Sequence, residues 1–393
     1  MIKWLFLILL LLRGFGLHFI EFPGLGLLFF TIYISIFVIC RKCNGLFAKD
    51  ISLFLLFIIP SVIGCRIFRG QGLYSTLMET GPYFGICIYF LLHRCKVNYL
   101  TINRILVSLC ILFCICYIVQ FYIWPTVIFD GAANTKLNSE GNLRIRATAS
   151  GLASLAYFMG LNKFMNSNRL SITNVVLIVL GFSSVIFMGF RTMAAGLLVV
   201  TFYLFVRRYG FSYKIISALL VSIGGIMLFF NTEIGAQILE NMMLRQERGE
   251  TLSNDDYIRW IQFDYFYSKH FINTYEMIFG SGLPALSVKS SYSTLFDNLD
   301  YVGINYYDWG IWGLTWVIGI PSVIFMTKFI IKAIFTKVSS EYYFISAWFI
   351  YLYIVSFTSF ELPRSGNFLI QGIVLYYLDL LYEKNRNFDV SPC

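Results

Sequence analysis

Apolar runs of about 17 to 22 residues, each closed by a polar or basic cluster, recur along the whole chain, and that is the length a bilayer core demands of a helix. Hydrocarbon offers no water to bond a backbone, so such runs are confined to helices that satisfy their own N–H and C=O groups. Composition agrees. Only 13% of the 393 residues are charged, where a soluble domain has roughly 25%. The runs lie at 4–20, 24–40, 51–64, 76–92, 105–128, 148–161, 171–189, 192–206, 215–230, 308–327, 342–360 and 366–382. The chain is therefore read as an all-α polytopic membrane protein of about twelve spans, one membrane domain over 1–393. Arg13 and His18 interrupt the first run and no small-residue cleavage site follows it, so it reads as a retained span rather than a signal peptide.

Orientation follows from the cations. With the N-terminus in the cytoplasm, the inner connections carry Arg41, Lys42 and Lys49, then Arg94, Lys96 and Arg104, then Arg207, Arg208 and Lys214, then Lys328, Lys332 and Lys337. That bias is the positive-inside rule, and an even span number leaves both termini cytoplasmic. The net charge of +9 is spread over these span ends, which argues for topology and against nucleic acid as partner. One long acidic loop, 231–305, is inserted between spans nine and ten on the outer side. The nine cysteines show no paired CxxC spacing and are expected as free thiols.

The two sides differ in kind as well as number: inner segments hold about ten Lys and seven Arg, outer segments about nine Arg and three Lys, an asymmetry topology does not require. The outer arginines are Arg66, Arg69, Arg144, Arg146, Arg191, Arg245, Arg248, Arg259 and Arg364. A planar guanidinium suits bidentate phosphate recognition better than an ammonium does. Lipid headgroup anchoring and salt bridges to Glu79, Glu247 and Glu361 are the bland alternative. Arg191 stands apart because it sits in the tight turn of GFRTMAAG between two apolar runs, and an ionisable residue so placed is a functional candidate.

Within the loop, Ser253-Asn254-Asp255-Asp256 offers capping side chains ahead of a periodic run, which predicts a helix over 255–269 with Arg259 turned toward the bundle. His270 reads as a helix-surface residue. The outer segments contain neither a DxD triplet nor a His and carboxylate set at metal-ligand spacing, so no metal or cofactor is expected. The loop's many tyrosines and tryptophans suit either sugar stacking or an interfacial belt.

Three stretches carry a resemblance to a known family: Gly189-Phe190-Arg191-Thr192 before a small-residue span; Arg259-Trp260 followed by Phe279-Gly280-Ser281-Gly282-Leu283-Pro284; and Asp300 through Asn305-Tyr306-Tyr307-Asp308-Trp309-Gly310-Ile311-Trp312-Gly313. Together with span count and loop position, they resemble the O-antigen polymerase and ligase superfamily. The resemblance implies transfer of a glycan from undecaprenyl pyrophosphate at the periplasmic face of the bacterial inner membrane, in lipopolysaccharide or related polysaccharide biosynthesis. It implies Arg191 and Arg259 on the pyrophosphate, Arg364 as a further phosphate contact, and Asp300 as base, with Asp297 and Asp308 as rivals. Arg66, Arg69, Arg144, Arg146 and Arg245 are additional candidates. Ligases of the superfamily show a histidine near the position of Asp300, so the resemblance favours a polymerase, with a flippase and a chain-length regulator as partners. A ligase acting on lipid A core, or a lipid-oligosaccharide flippase, is the alternative.

Overall fold

The computed structural model describes residues 1–17, 25–129, 145, 147–167, 171–210, 224, 231, 233, 236, 258–286 and 288–389. Among them the chain is helical, with a single isolated bridge between Leu17 and Phe129 and no strand. The helices are α1 (Ile2–Leu11), α2 (Leu25–Cys40), α3 (Ala48–Arg69), α4 (Leu73–Thr80), α5 (Ile88–Arg94), α6 (Tyr99–Ile123), α7 (Gly151–Asn166), α8 (Ile172–Phe187) and α9 (Arg191–Tyr209). The loop supplies α10 (Ile258–Asp264), α11 (Thr274–Phe279) and α12 (Ser291–Tyr301), and the chain closes with α13 (Gly310–Ile318), α14 (Ile320–Phe335), α15 (Tyr343–Val355) and α16 (Asn367–Asp389). The apolar run at 215–230 lies outside the described residues, apart from Gly224.

Three helices, α3, α6 and α9, are long and apolar enough to cross a membrane, with 22, 25 and 19 residues. At 1.5 Å per residue they span about 28 to 37 Å. Their exposed faces are greasy: Leu56, Ile59, Ile63, Ile67, Leu112, Ile115, Leu198 and Val199 point away from the protein. The interior is built by α7, α15 and α16, which are buried along most of their length. Small residues let backbones touch where hydrophobicity alone gives no drive to associate. A Cβ on Gly160 would stand 2.8 Å from the Asn174 carbonyl oxygen, and one on Gly181 2.5 Å from the Tyr157 nitrogen, so α7 and α8 pack backbone to backbone.

Three runs expected as continuous are interrupted. In the first, Arg13, Gly14, Phe15 and Gly16 all have positive φ, a left-handed turn directly below α1. The second passes from α4 through a 3₁₀ stretch, Gly81–Cys87, into α5. The third, 308–327, breaks at Gly319 with φ 86° and ψ 156°, giving α13 and α14 in place of one span. The freed carbonyls of Trp316 and Val317 accept hydrogen bonds from Ser281 and Gly282 of the loop at 2.9 Å each. That contact explains the Gly-x-Gly motif. Side chains on Gly280 and Gly282 would collide with the Val317 backbone and Cys65, and both residues have φ near 84°.

The two ends of the bundle are finished differently. Opposite the loop, buried Asp50 pairs with Lys328 at 2.9 Å and Lys332 at 3.6 Å, and buried Asp379 meets His93 at 2.9 Å, the Tyr89 hydroxyl at 2.7 Å and the Leu46 N–H at 2.9 Å. At the loop end the buried carboxylates pair with arginines instead, Glu276 with Arg69 at 2.6 Å and Glu361 with Arg364 at 3.0 Å.

Candidate functional site

Four separate chain segments meet under the loop. The turn between α8 and α9 needs Gly189 at φ 71°, and it places Phe190 at the N-cap and Arg191 as the first residue of α9. A helix N-terminus carries partial positive charge, so a cation there is tolerated best when an anion is near. The loop helix is seen over Ile258–Asp264, within the expected 255–269, its expected capping residues 253–256 lying outside the described residues, and Arg259 turns inward so that its Nη2 donates to the Thr358 carbonyl at 3.4 Å.

The exit from the loop is drawn against the chain after α15 at Gly310 and folded back on itself at Gly313. Gly310 has φ 49°, and a Cβ there would lie 1.9 Å from the Ser356 carbonyl oxygen. At Gly313 it would lie 2.0 Å from the Tyr306 carbonyl oxygen. Ile311 N–H donates to the same Ser356 oxygen at 2.8 Å. This close seam carries Asp308 to Thr358, Ser359 and Phe360. Asn305 orients the aspartate, accepting from its N–H and donating to its Oδ2, both at 3.1 Å, while buried Gln262 donates to the same Oδ2 at 3.3 Å.

Arg364 comes from the turn between α15 and α16. Its Nη1 lies 3.0 Å from Glu361 Oε2 and 3.2 Å from Ser150 Oγ, and its guanidinium sits 5.6 Å over the Phe190 ring. Glu361 is buried and its Oε1 accepts from Ser150 at 2.6 Å. Arg364 is thus held in place rather than swinging in solvent.

These residues enclose a cavity of about 510 Å³, a usual size for a ligand site. Arg191, Arg259, Arg364 and Asp308 line it, with Phe190, Tyr307 and Phe360 as the aromatic wall. Three guanidinium groups face one carboxylate at the lining, with Glu361 behind Arg364. The arrangement can hold a polyvalent oxyanion and present a carboxylate beside it.

The remaining candidates are placed elsewhere. Asp300, favoured as base from the sequence, is exposed on α12, as is Asp297, and neither lines the cavity. The reason was readable: Tyr292, Phe296 and Leu299 form the buried stripe of α12 at spacings of four and three, which turns 297 and 300 outward. Arg66 is exposed near the end of α3. Arg144, Arg146 and Arg245 lie outside the described residues, as does Arg248.

Arg69 is committed to structure. Its Nε and Nη2 bind Glu276 Oε1 and Oε2 at 2.7 and 2.6 Å, it donates to the His270 carbonyl, and it stacks 5.2 Å from the Tyr292 ring. His270 is not a helix-surface residue. The turn Tyr265–Lys269 is a wide π turn, closed by His270 N–H on the Tyr265 carbonyl, and the extra residue per turn rotates the imidazole inward. There it lies buried with Nε2 2.9 Å from Ser281 Oγ, and burial together with the Arg69 charge pushes its pKa down to about 3. The eight cysteines among the described residues are free thiols. No protein-family model matches the chain, and no curated protein matches it.

Proposed function

We propose that the protein is a membrane-embedded glycosyltransferase that polymerises oligosaccharide repeat units carried on undecaprenyl pyrophosphate, as O-antigen polymerases do. In this reading the chain crosses the bacterial inner membrane about twelve times with both termini cytoplasmic, supported by the excess of cations in the inner connections. The loop 231–305 is periplasmic, and the cavity opens beneath it. The observation that carries the reading is the meeting of Arg191, Arg259 and Arg364 with Asp308 on one cavity, from segments up to 173 residues apart.

The chemistry needs little else. The acceptor sugar's hydroxyl oxygen attacks the anomeric carbon of the donor glycan, the bond from that carbon to the diphosphate oxygen breaks, and the electron pair leaves with the diphosphate. Arg191, Arg259 and Arg364 stabilise the departing charge in place before it develops, which is where preorganised donors gain most. The hydroxyl proton passes to Asp308, which replaces Asp300 as the base because it lines the cavity and is oriented by Asn305 and Gln262. Diphosphate is a competent leaving group without a general acid. No histidine is among the lining residues, which supports the polymerase over the ligase reading.

The test is glycan lengthening by purified protein in nanodiscs given only lipid-linked repeat units. A polymerase makes ladders with no core acceptor, and Asp308→Asn loses them by a factor of about 100 or more. Wild-type protein that makes no ladder until a lipid A core is supplied would make it a ligase, and ladders of normal rate from Asp308→Asn would remove the aspartate from the mechanism.

A further inference from the structure

A second cavity, of about 360 Å³, adjoins the first: Thr148 and Ser365 line both. Its character is different. Arg13 and Glu79 are its charged lining groups, one of each sign, and Phe29, Phe30, Tyr33 and Tyr74 supply rings. Where the first cavity suits a polyanion, one cation and one carboxylate among aromatic faces suit a neutral, hydroxyl-rich ligand.

The backbone around it is bent to make the space. Arg13 and Phe15 hold φ of 53° and 66°, and Ala149, beside the shared wall, holds 62°. Left-handed residues other than glycine are strained, and such strain gathers at ligand sites. The turn carries Arg13 off the helix line, with its guanidinium 5.5 Å from the Phe29 ring, and the Leu11 carbonyl accepts from the Tyr33 hydroxyl at 3.2 Å. Gly26 lets Met78 of the lining close in: a Cβ there would come within 2.0 Å of Met78 Cε. The shared wall is fixed, since Ala149 N–H donates to the Ser365 carbonyl at 2.8 Å.

We propose that this cavity seats the acceptor, the sugar end of the incoming oligosaccharide, with Arg13 and Glu79 hydrogen-bonding its hydroxyls and the aromatic rings stacking on it. The assignment rests on the glycosyltransferase reading and divides it into two subsites, a cationic one for the donor diphosphate and a neutral one for the acceptor glycan. The shared wall is where the two substrates meet.

Binding, measured without turnover, separates the two claims. The probes are farnesyl pyrophosphate and the oligosaccharide repeat unit released from its lipid by mild acid, each titrated into the full chain in nanodiscs. Wild type is expected to bind both at once. Glu79→Gln, and Tyr74→Ala at the half-exposed mouth where folding is not at stake, weaken the oligosaccharide about tenfold and leave farnesyl pyrophosphate within about twofold. Arg191→Ala does the reverse. Oligosaccharide binding that is unchanged in both Glu79→Gln and Tyr74→Ala, or that farnesyl pyrophosphate displaces, overturns the acceptor subsite. Farnesyl pyrophosphate bound equally by wild type and Arg191→Ala instead overturns the diphosphate site, and the oligosaccharide arm still reads on its own.

Discussion

Around Arg69 the guanidinium is ringed by acceptors belonging to the chain itself, whereas the cavity of Arg191, Arg259 and Arg364 faces three guanidinium groups toward a space lined by one carboxylate. Both regions lie under the same loop and use the same residue type. In the first, arginine replaces solvent as the loop's anchor, joining the end of α3 to Glu276, which is itself fully buried. In the second, three guanidinium groups and one carboxylate, Asp308, share a single lining, with Glu361 paired to Arg364 behind it. Counting arginines on one side of a membrane therefore does not find a site. Which of them share a cavity wall separates the two regions.

The sharpest way to break this contrast is to remove the partner at each place. Glu276→Gln strands Arg69 in a buried position, and loss of one member of a buried pair costs about 3 to 5 kcal/mol, visible as a lower unfolding midpoint of the detergent-solubilised protein. An unchanged midpoint would mean the knot is not structural. Arg191→Ala should behave oppositely: turnover falls by about 100- to 1,000-fold, as for other preorganised oxyanion donors, with an unfolding midpoint like wild type because the side chain is exposed. If Arg191→Ala destabilised the fold as much as Glu276→Gln, the two regions would not differ in kind.

Acid gives the smallest and most local probe. His270 ordinarily protonates near 6.5 and is held down to about 3 here, so the unfolded loop binds the proton more readily than the folded one. The stability this contributes is fully present above 6.5 and is lost progressively as pH falls toward 3. Between pH 7.5 and 5 the loss is about 2 kcal/mol, to be followed as faster amide exchange around Ser281 and Tyr292. His270→Gln should flatten that pH dependence and leave the cavity's affinity for farnesyl pyrophosphate unchanged.

How much of this was legible in the sequence depends on distance along the chain. Helix positions were, since an apolar run and its closing cluster are local: 105–128 became Tyr99–Ile123 and 24–40 became Leu25–Cys40. The loop helix carrying Arg259 was also readable from the period of its apolar residues. The breaks at Arg13–Gly16 and Gly319 were not, because what makes them tolerable lies far away, the Tyr33 hydroxyl in one case and the Ser281 and Gly282 amides in the other. Arg69 could not be told from Arg191 for the same reason, its partner standing 207 positions downstream. That Asp300 faces away from the cavity was within reach, had the stripe of α12 been used to ask which carboxylate faces outward.

The break at Gly319 has a mechanical consequence. Two peptide amides of the Gly-x-Gly segment plug two carbonyls that an unbroken helix would have capped for itself. Peeling that strip of loop away would leave bare dipoles inside a greasy wall, at several kcal/mol apiece. Residues 279–284 are thus riveted to the bundle, and this strip of the loop cannot lift as a flap without baring those two carbonyls.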